Sequence, residues 1–222
     1  MTLTLSGAGI ADLSPLAADR ALEELTLNQT GVTNLHGLED HPALTLISIS
    51  DQALPDLSAL RDATAFQTLN LFDLTSSDMG SLAHVPALQD FWADTVPINS
   101  LDGLAGHAEL RSLGIIGGKF TTTAPLHDLP KLRSMRLPTG SLQNVAGLGT
   151  LPALKELDLG GNQIGNLEGL RGAAQLRELN LSGNPVTDVS PLQGLPHLPT
   201  LWIAGTGARD LSALGVDAEG CP

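Results

Sequence analysis

Gly7-Ala8-Gly9 is the first tract in the sequence whose residue types suggest chemistry. Closely spaced glycines after an apolar run let backbone amides approach a pyrophosphate, but a dinucleotide fingerprint needs a third glycine where Asp12 stands. Gly117-Gly118-Lys119 has the form of a phosphate-loop ending, yet Phe120 occupies the place that must supply a hydroxyl. The six histidines, at 36, 41, 84, 107, 127 and 197, include no pair at ligand spacing beside suitable acids or cysteines. They read as surface histidines. Cys221 lies in the tail Glu219-Gly220-Cys221-Pro222, where an acid replaces the positive surroundings that activate a thiol. With no nucleophile beside a base and an orienting group, the expectation is no catalytic site, no cofactor and no metal.

These tracts all fall at fixed steps in a longer pattern. Counting 22 residues at a time from Leu5 meets Leu27, Ile49, Leu71, Ala93, Ile115, Leu137, Leu159, Leu181 and Ile203. Two residues earlier stand Leu3, Leu25, Ile47, Leu69, Phe91, Leu113, Met135, Leu157, Leu179 and Leu201. A third column, from Leu16 through Leu38 and onward to Leu214, is leucine in every copy. Ten copies without an insertion place the whole of residues 1–214 in one repeat domain, with 215–222 as a short tail.

The eighth copy shows the unit most fully, as Leu154, Leu157, Leu159, Asn162, Ile164, Leu167 and Leu170. This pattern resembles the leucine-rich-repeat family, in the 22-residue class of bacterial internalins and a phosphatase regulatory subunit. The resemblance implies an α/β-repeat superhelix: a curved, right-handed β/3₁₀ solenoid with one parallel sheet on its concave face. Residue chemistry points the same way. Leu157-Asp158-Leu159 alternates as a half-buried strand does, and one short strand can bury its apolar side only by stacking on the next copy. The column Asp12, Asn34, Asp56, Asp78, Ser100, Thr122, Asn144, Asn166, Asp188 and Asp210 contains only helix N-cap types, so a short turn is predicted to begin there. Pro42, Pro86, Pro130, Pro152 and Pro196 end that turn before the next strand. The family's backbone-bonding asparagine survives only as Asn162 and Asn184, and Ser76, Ala93 and Thr123 interrupt apolar columns. Copies four to seven are therefore expected to be irregular, with Phe91 and Phe120 filling space. Drift in a tolerant scaffold and specialisation for a partner both account for this.

Charge narrows the partners. With 24 Asp and Glu against 11 Lys and Arg, the net charge of −13 disfavours nucleic acid and anionic membrane. The start of the chain lacks a secretory pattern, no apolar run reaches membrane-spanning length, and one cysteine suits a reducing compartment. A cytoplasmic location is the expectation.

The outward strand positions should form the binding surface. One file runs Thr4, Thr26, Ser48, Asn70, Trp92, Gly114, Arg136, Asp158, Asn180 and Trp202; a second includes Phe72, Asp94 and Ile116. Both tryptophans and Phe72 thus fall where small polar residues prevail. The candidate partner-binding residues are Asn70, Phe72, Trp92, Asp94, Ile116, Arg136, Asp158 and Trp202. Phe72, Trp92 and Ile116 are expected to adjoin as an exposed anchor for a protein; the alternative is that they cover the coils beneath them. Acids dominate this face, with Glu24, Asp51, Asp73, Asp90, Asp94, Glu156, Asp158 and Glu178 against Lys119 and Arg136, which suits a partner with a basic surface. Arg111, Arg133, Lys155 and Arg177 form a basic ridge over four copies, either free or paired with acidic neighbours. Neither end of the repeat series carries a capping segment, so a partner, a second copy or an adjoining domain is expected to cover each.

The resulting expectation is a non-catalytic protein-recognition module. Asp-Val-Ser-Pro-Leu at 188–192 has the texture of bacterial repeats, including sensor segments of signalling proteins. A regulatory subunit docked on an enzyme and an adhesion scaffold are the alternatives.

Overall fold

The computed structural model describes residues 1–39, 41–75, 79–195 and 198–214. Ten strands recur at the predicted interval: β1 (Thr2–Ser6), β2 (Glu24–Asn28), β3 (Leu46–Ser50), β4 (Thr68–Phe72), β5 (Asp90–Asp94), β6 (Ser112–Ile116), β7 (Ser134–Arg136), β8 (Glu156–Asp158), β9 (Glu178–Asn180) and β10 (Thr200–Trp202). They form one parallel sheet in strict chain order. The register pairs each residue with its counterpart 22 positions on, as in Leu25 with Ile47 and Leu157 with Leu179. Parallel neighbours joined by a crossover take a right-handed connection in nearly all folds, which gives this solenoid its hand.

The core lies between the sheet and the outer connections. In the eighth coil Leu154, Leu157, Leu159, Ile164, Leu167 and Leu170 are all buried. Every coil adds its set to one continuous cluster. Leu3, Leu5 and Leu16 in the first coil and Leu201, Ile203, Leu211 and Leu214 in the last are only partly buried.

The outer side carries short 3₁₀ turns, among them Ser14–Ala18, Asp102–Leu104, Glu168–Leu170 and Ser190–Leu192. The expected capping column acts one residue earlier than an N-cap would. The residue directly before each turn, such as Leu13 or Leu167, makes no side-chain cap. Instead Asp12, Asn34, Asp56, Ser100, Thr122, Asn144, Asn166, Asp188 and Asp210 each accept a hydrogen bond from the backbone N–H two residues on. These Asx and hydroxyl turns hold the first N–H of the turn, which would otherwise be an orphan. Asp78, in the same column, and Pro196 lie outside the described residues.

Four of these caps are acidic, and acid is expected to weaken them. Backbone and then hydroxyl bonds from Ser14, Ser58 and Ser190 hold Asp12, Asp56 and Asp188 below the ordinary aspartate value of 3.8. The Ser212 hydroxyl, then its backbone N–H, does the same for Asp210. A folded-state pKa below the unfolded one gives stability that is fully present above the ordinary value. It is lost as pH falls through the lowered value. Urea midpoints should therefore stay level down to about pH 4 and drop below it. Asp56→Asn with Asp188→Asn should flatten that drop, and an unchanged acid limb would show that these carboxylates carry none of it.

In copies four to seven the expected irregularity lies on the outer side, where the turn of copy four, Met79–His84, runs six residues and that of copy seven, Leu148–Thr150, starts two residues late. Their strands are not irregular: β4, β5 and β6 are five-residue strands in unbroken register, whereas β7 to β10 have three. Pro138, two residues beyond the end of β7, has no N–H to add a further rung. Phe91 and Phe120 are buried as expected, and Phe120 lies against Gly118, where a Cβ would strike its ring. That packing accounts for the Gly117-Gly118-Lys119-Phe120 tract as scaffold. Thr123, fully buried, donates its hydroxyl to the Ala146 carbonyl at 2.9 Å. Ser76 lies outside the described residues.

The histidines also differ. His36 and His127 are exposed, but His41 and His107 are buried. Each sits at the same place in its coil and donates from Nε2 to the invariant leucine's carbonyl one coil back, Leu16 at 3.0 Å and Leu82 at 3.1 Å. An imidazole there fills the space of an apolar side chain while tying two coils together.

Candidate protein-binding face

Strand register brings most of the predicted site residues into two files on one face. Asn70 pairs with Trp92, Trp92 with Gly114, Gly114 with Arg136, Arg136 with Asp158, Asp158 with Asn180 and Asn180 with Trp202. In the second file Phe72 pairs with Asp94 and Asp94 with Ile116. Asn70, Phe72, Trp92, Asp94 and Ile116 thus share three adjacent strands. Arg136 and Asp158 follow, and Trp202 stands five strands from Trp92, about 24 Å at ~4.8 Å per strand. The eight residues form two groups rather than one.

The expected exposed anchor is corrected in part. Phe72, Trp92 and Ile116 are half-buried, and among the described residues the exposed large hydrophobics are Met1 and Trp202, each at 49 %. Trp92 lies flat against its neighbour: a Cβ added to Gly114 would overlap Cε3 and Cζ3 of the indole. One glycine in the outward file gives the ring a platform on β6, and the ring keeps only part of its surface for contact. Beside it opens a groove of about 460 Å³ lined by Asp94, Val96, Pro97, Ile116, Gly117 and Lys119, among others. Leu74 and Val96 replace the ladder asparagine here and are buried.

A smaller hollow of about 80 Å³ lies among Arg136, Glu156, Asp158, Glu178, Asn180 and Trp202. Asp158 is more constrained than an exposed strand residue: its Oδ1 accepts from the Gly160 N–H at 3.0 Å and from Asn180 Nδ2 at 2.9 Å. Arg136 faces Glu156 at 4.0 Å, and Glu156 also accepts from the Ser134 hydroxyl. Both partners are well exposed, so this pair contributes little to stability.

A further set of positions went unread. Gly7, Gln29, Asp51, Asp73, Thr95, Gly117, Thr139, Gly161, Gly183 and Gly205 all have φ between 50° and 108°, so every coil leaves the sheet through a left-handed residue. Five are glycine, the residue that takes this conformation freely, and two are Asp, which tolerates it. Glycine recurring at a 22-residue step was the signal available. Thr95 and Thr139 hid it, because a β-branched residue is among the least expected there.

Models of known families match the second half of this chain: the leucine rich repeat at residues 130–186 and paired leucine rich repeats at 174–215. An internalin, inlF of Listeria monocytogenes, is 27% identical with a TM-score of 0.77 over 96% of this chain. The chain is a leucine-rich-repeat protein of the internalin-like type. It spans 63% of the length of that internalin. A second Listeria structure, internalin C2, is 24% identical with a TM-score of 0.60, covering 92% of this chain and 80% of its own. The plant peptide hormone receptor RGFR1, solved in complex with RGF2, shares the leucine-rich-repeat fold at 18% identity, with a TM-score of 0.69 over 92% of this chain and 34% of its own. No curated protein matches this leucine-rich-repeat protein. Among its described residues no helix is long and apolar enough to cross a membrane.

Proposed function

We propose that this leucine-rich-repeat protein is a non-catalytic recognition module that binds a protein partner through the concave face. One observation carries the reading: the outward files, elsewhere mostly small and polar, carry Phe72, Trp92 and Ile116 on three adjacent strands, with Asp94 between Phe72 and Ile116, beside a groove lined by Asp94, Ile116 and Lys119. A partly exposed aromatic with adjoining apolar surface and charged neighbours is the composition of a binding hot spot. RGFR1, a plant peptide hormone receptor of the same fold, is in complex with RGF2. The acids of this face suit a partner with a basic surface, and the setting we propose is the sensor segment of a larger bacterial protein.

The test begins with a partner captured by the intact protein. Trp92→Ala should weaken its binding by roughly 2 kcal/mol or more, about thirtyfold, in calorimetry. Because the indole covers Gly114, some loss of melting temperature should accompany this. Ile116→Asp, which places a charge on the groove without uncovering that strand, should also weaken binding. Asp94→Asn should slow association of a basic partner, with the difference shrinking as salt rises. Asp210→Ala, on the outer side, should leave affinity unchanged. Intact affinity in both Trp92→Ala and Ile116→Asp would show that these residues are scaffold and that the binding surface lies elsewhere.

A further inference from the structure

Arg111, Arg133, Lys155 and Arg177 stand one per coil along the rim where the chain enters β6 to β9. Their backbones are locked in register: the N–H groups of Arg133, Lys155 and Arg177 each donate to the carbonyl of the ridge residue before, at 2.8–2.9 Å. The four side chains are exposed. None of them has a hydrogen-bonding or ion-pairing partner among the described residues, although acids are close by. Glu109 is taken by Lys131 at 2.7 Å, and Glu156 by Ser134 and Arg136. The same column is Thr45, Gln67 and Gln89 in the three preceding coils and Pro199 in the next, so the ridge begins and ends abruptly.

Four like charges at steps of about 4.8 Å repel one another, and the fold gains nothing visible from them. In a protein with a net charge of −13, such a row is a local reversal of sign. We infer that the ridge is an anion-binding edge, separate from the concave groove, and that it docks a short acidic segment of a protein partner. Its length selects the occupant. Four coils span about 14 Å, which an extended peptide matches with four or five residues at ~3.3 Å each. A nucleic acid would run past the ridge onto a surface that is acidic overall, where its phosphates are repelled. Arginine adds bidentate geometry suited to carboxylates at three of the four positions.

A hexaglutamate peptide titrated into the full chain at low salt tests this, with a six-nucleotide thymidine oligomer as the second arm. Hexaglutamate should bind, more weakly as salt rises. The variant Arg133→Gln with Lys155→Gln should lose roughly tenfold or more in affinity. Removing the same charge elsewhere, as Arg61→Gln with Arg209→Gln, should change it far less. Trp92→Ala should leave it unchanged, which separates this edge from the concave face. The ridge variant should melt no lower than the unmodified protein, since it removes repulsion. Absence of hexaglutamate binding, equal losses in the two double variants, tighter binding of the oligonucleotide, or a lowered melting temperature in the ridge variant would each overturn the assignment.

Discussion

Leu159→Ala is expected to lower the unfolding free energy by about 2–5 kcal/mol, through lost burial and the cavity left behind. Leu159 is fully buried, and its backbone is fixed on both sides. Its N–H donates to the Asn180 carbonyl, and its own carbonyl accepts from Asn162 and Asn184. Neighbouring coils held this tightly cannot move in to fill the space, which argues for the upper part of the range. Asp158→Ala, one residue away, should cost about 1 kcal/mol, because it gives up two hydrogen bonds at a half-buried site. Urea unfolding of both variants checks the pair. Each coil touches only its neighbours, so a reduced slope in Leu159→Ala would show that the damaged coil uncouples the array. Equal losses in the two variants would contradict the inward and outward assignments.

Asn162→Ala is expected to cost about 3 kcal/mol or more, although it removes no more heavy atoms than Leu159→Ala and those it removes are mostly polar. Asn162 Nδ2 donates to the carbonyls of Leu137 at 2.7 Å and Leu159 at 2.9 Å. Its Oδ1 accepts from the N–H groups of Leu142 at 3.1 Å and Gly140 at 3.2 Å. Truncation strands three of these backbone groups at a nearly buried site, each worth about 1–3 kcal/mol if it finds no substitute, while the Leu159 carbonyl keeps its bond from Asn184. Asn184 makes the equivalent link one coil on, to Leu159, Leu181 and the N–H of Ile164. Gln52 supplies half of it further back: its Oε1 accepts from Thr30 while its Nε2 has no partner among the described residues. Gln52→Ala should accordingly cost less than Asn162→Ala. A loss below about 1 kcal/mol for Asn162→Ala would mean that water or backbone shifts replace the side chain.

The repeat itself was legible because its cause is local to each copy. Leucine at every third or fourth position on the outer side and alternation in the strand describe a unit that cannot be stable alone. The 22-residue step then dictates the register: Leu157 could pair with nothing but Leu179 and Met135. The column of Asp, Asn, Ser and Thr was legible for the same reason, since its bond closes within three residues. Its displacement by one residue from an N-cap was not, because the same side chains serve Asx turns and N-caps alike.

What the sequence alone determined was therefore the period, the buried columns and the outward file to which each candidate residue belongs. Tertiary structure decided how much of each outward side chain is free. Trp92 is half-buried because Gly114, 22 residues later, leaves room for its ring, and Asp158 is held because Asn180 reaches back to it. His41 is interior because the Leu16 carbonyl of the preceding coil meets its imidazole, whereas the Arg133 and Lys155 side chains stay free because Glu109 and Glu156 are engaged elsewhere. In a stacked array the exposure of a residue depends on what the adjacent coil offers it. That is a contact between positions a full repeat apart, where the identity of one residue does not specify its neighbour.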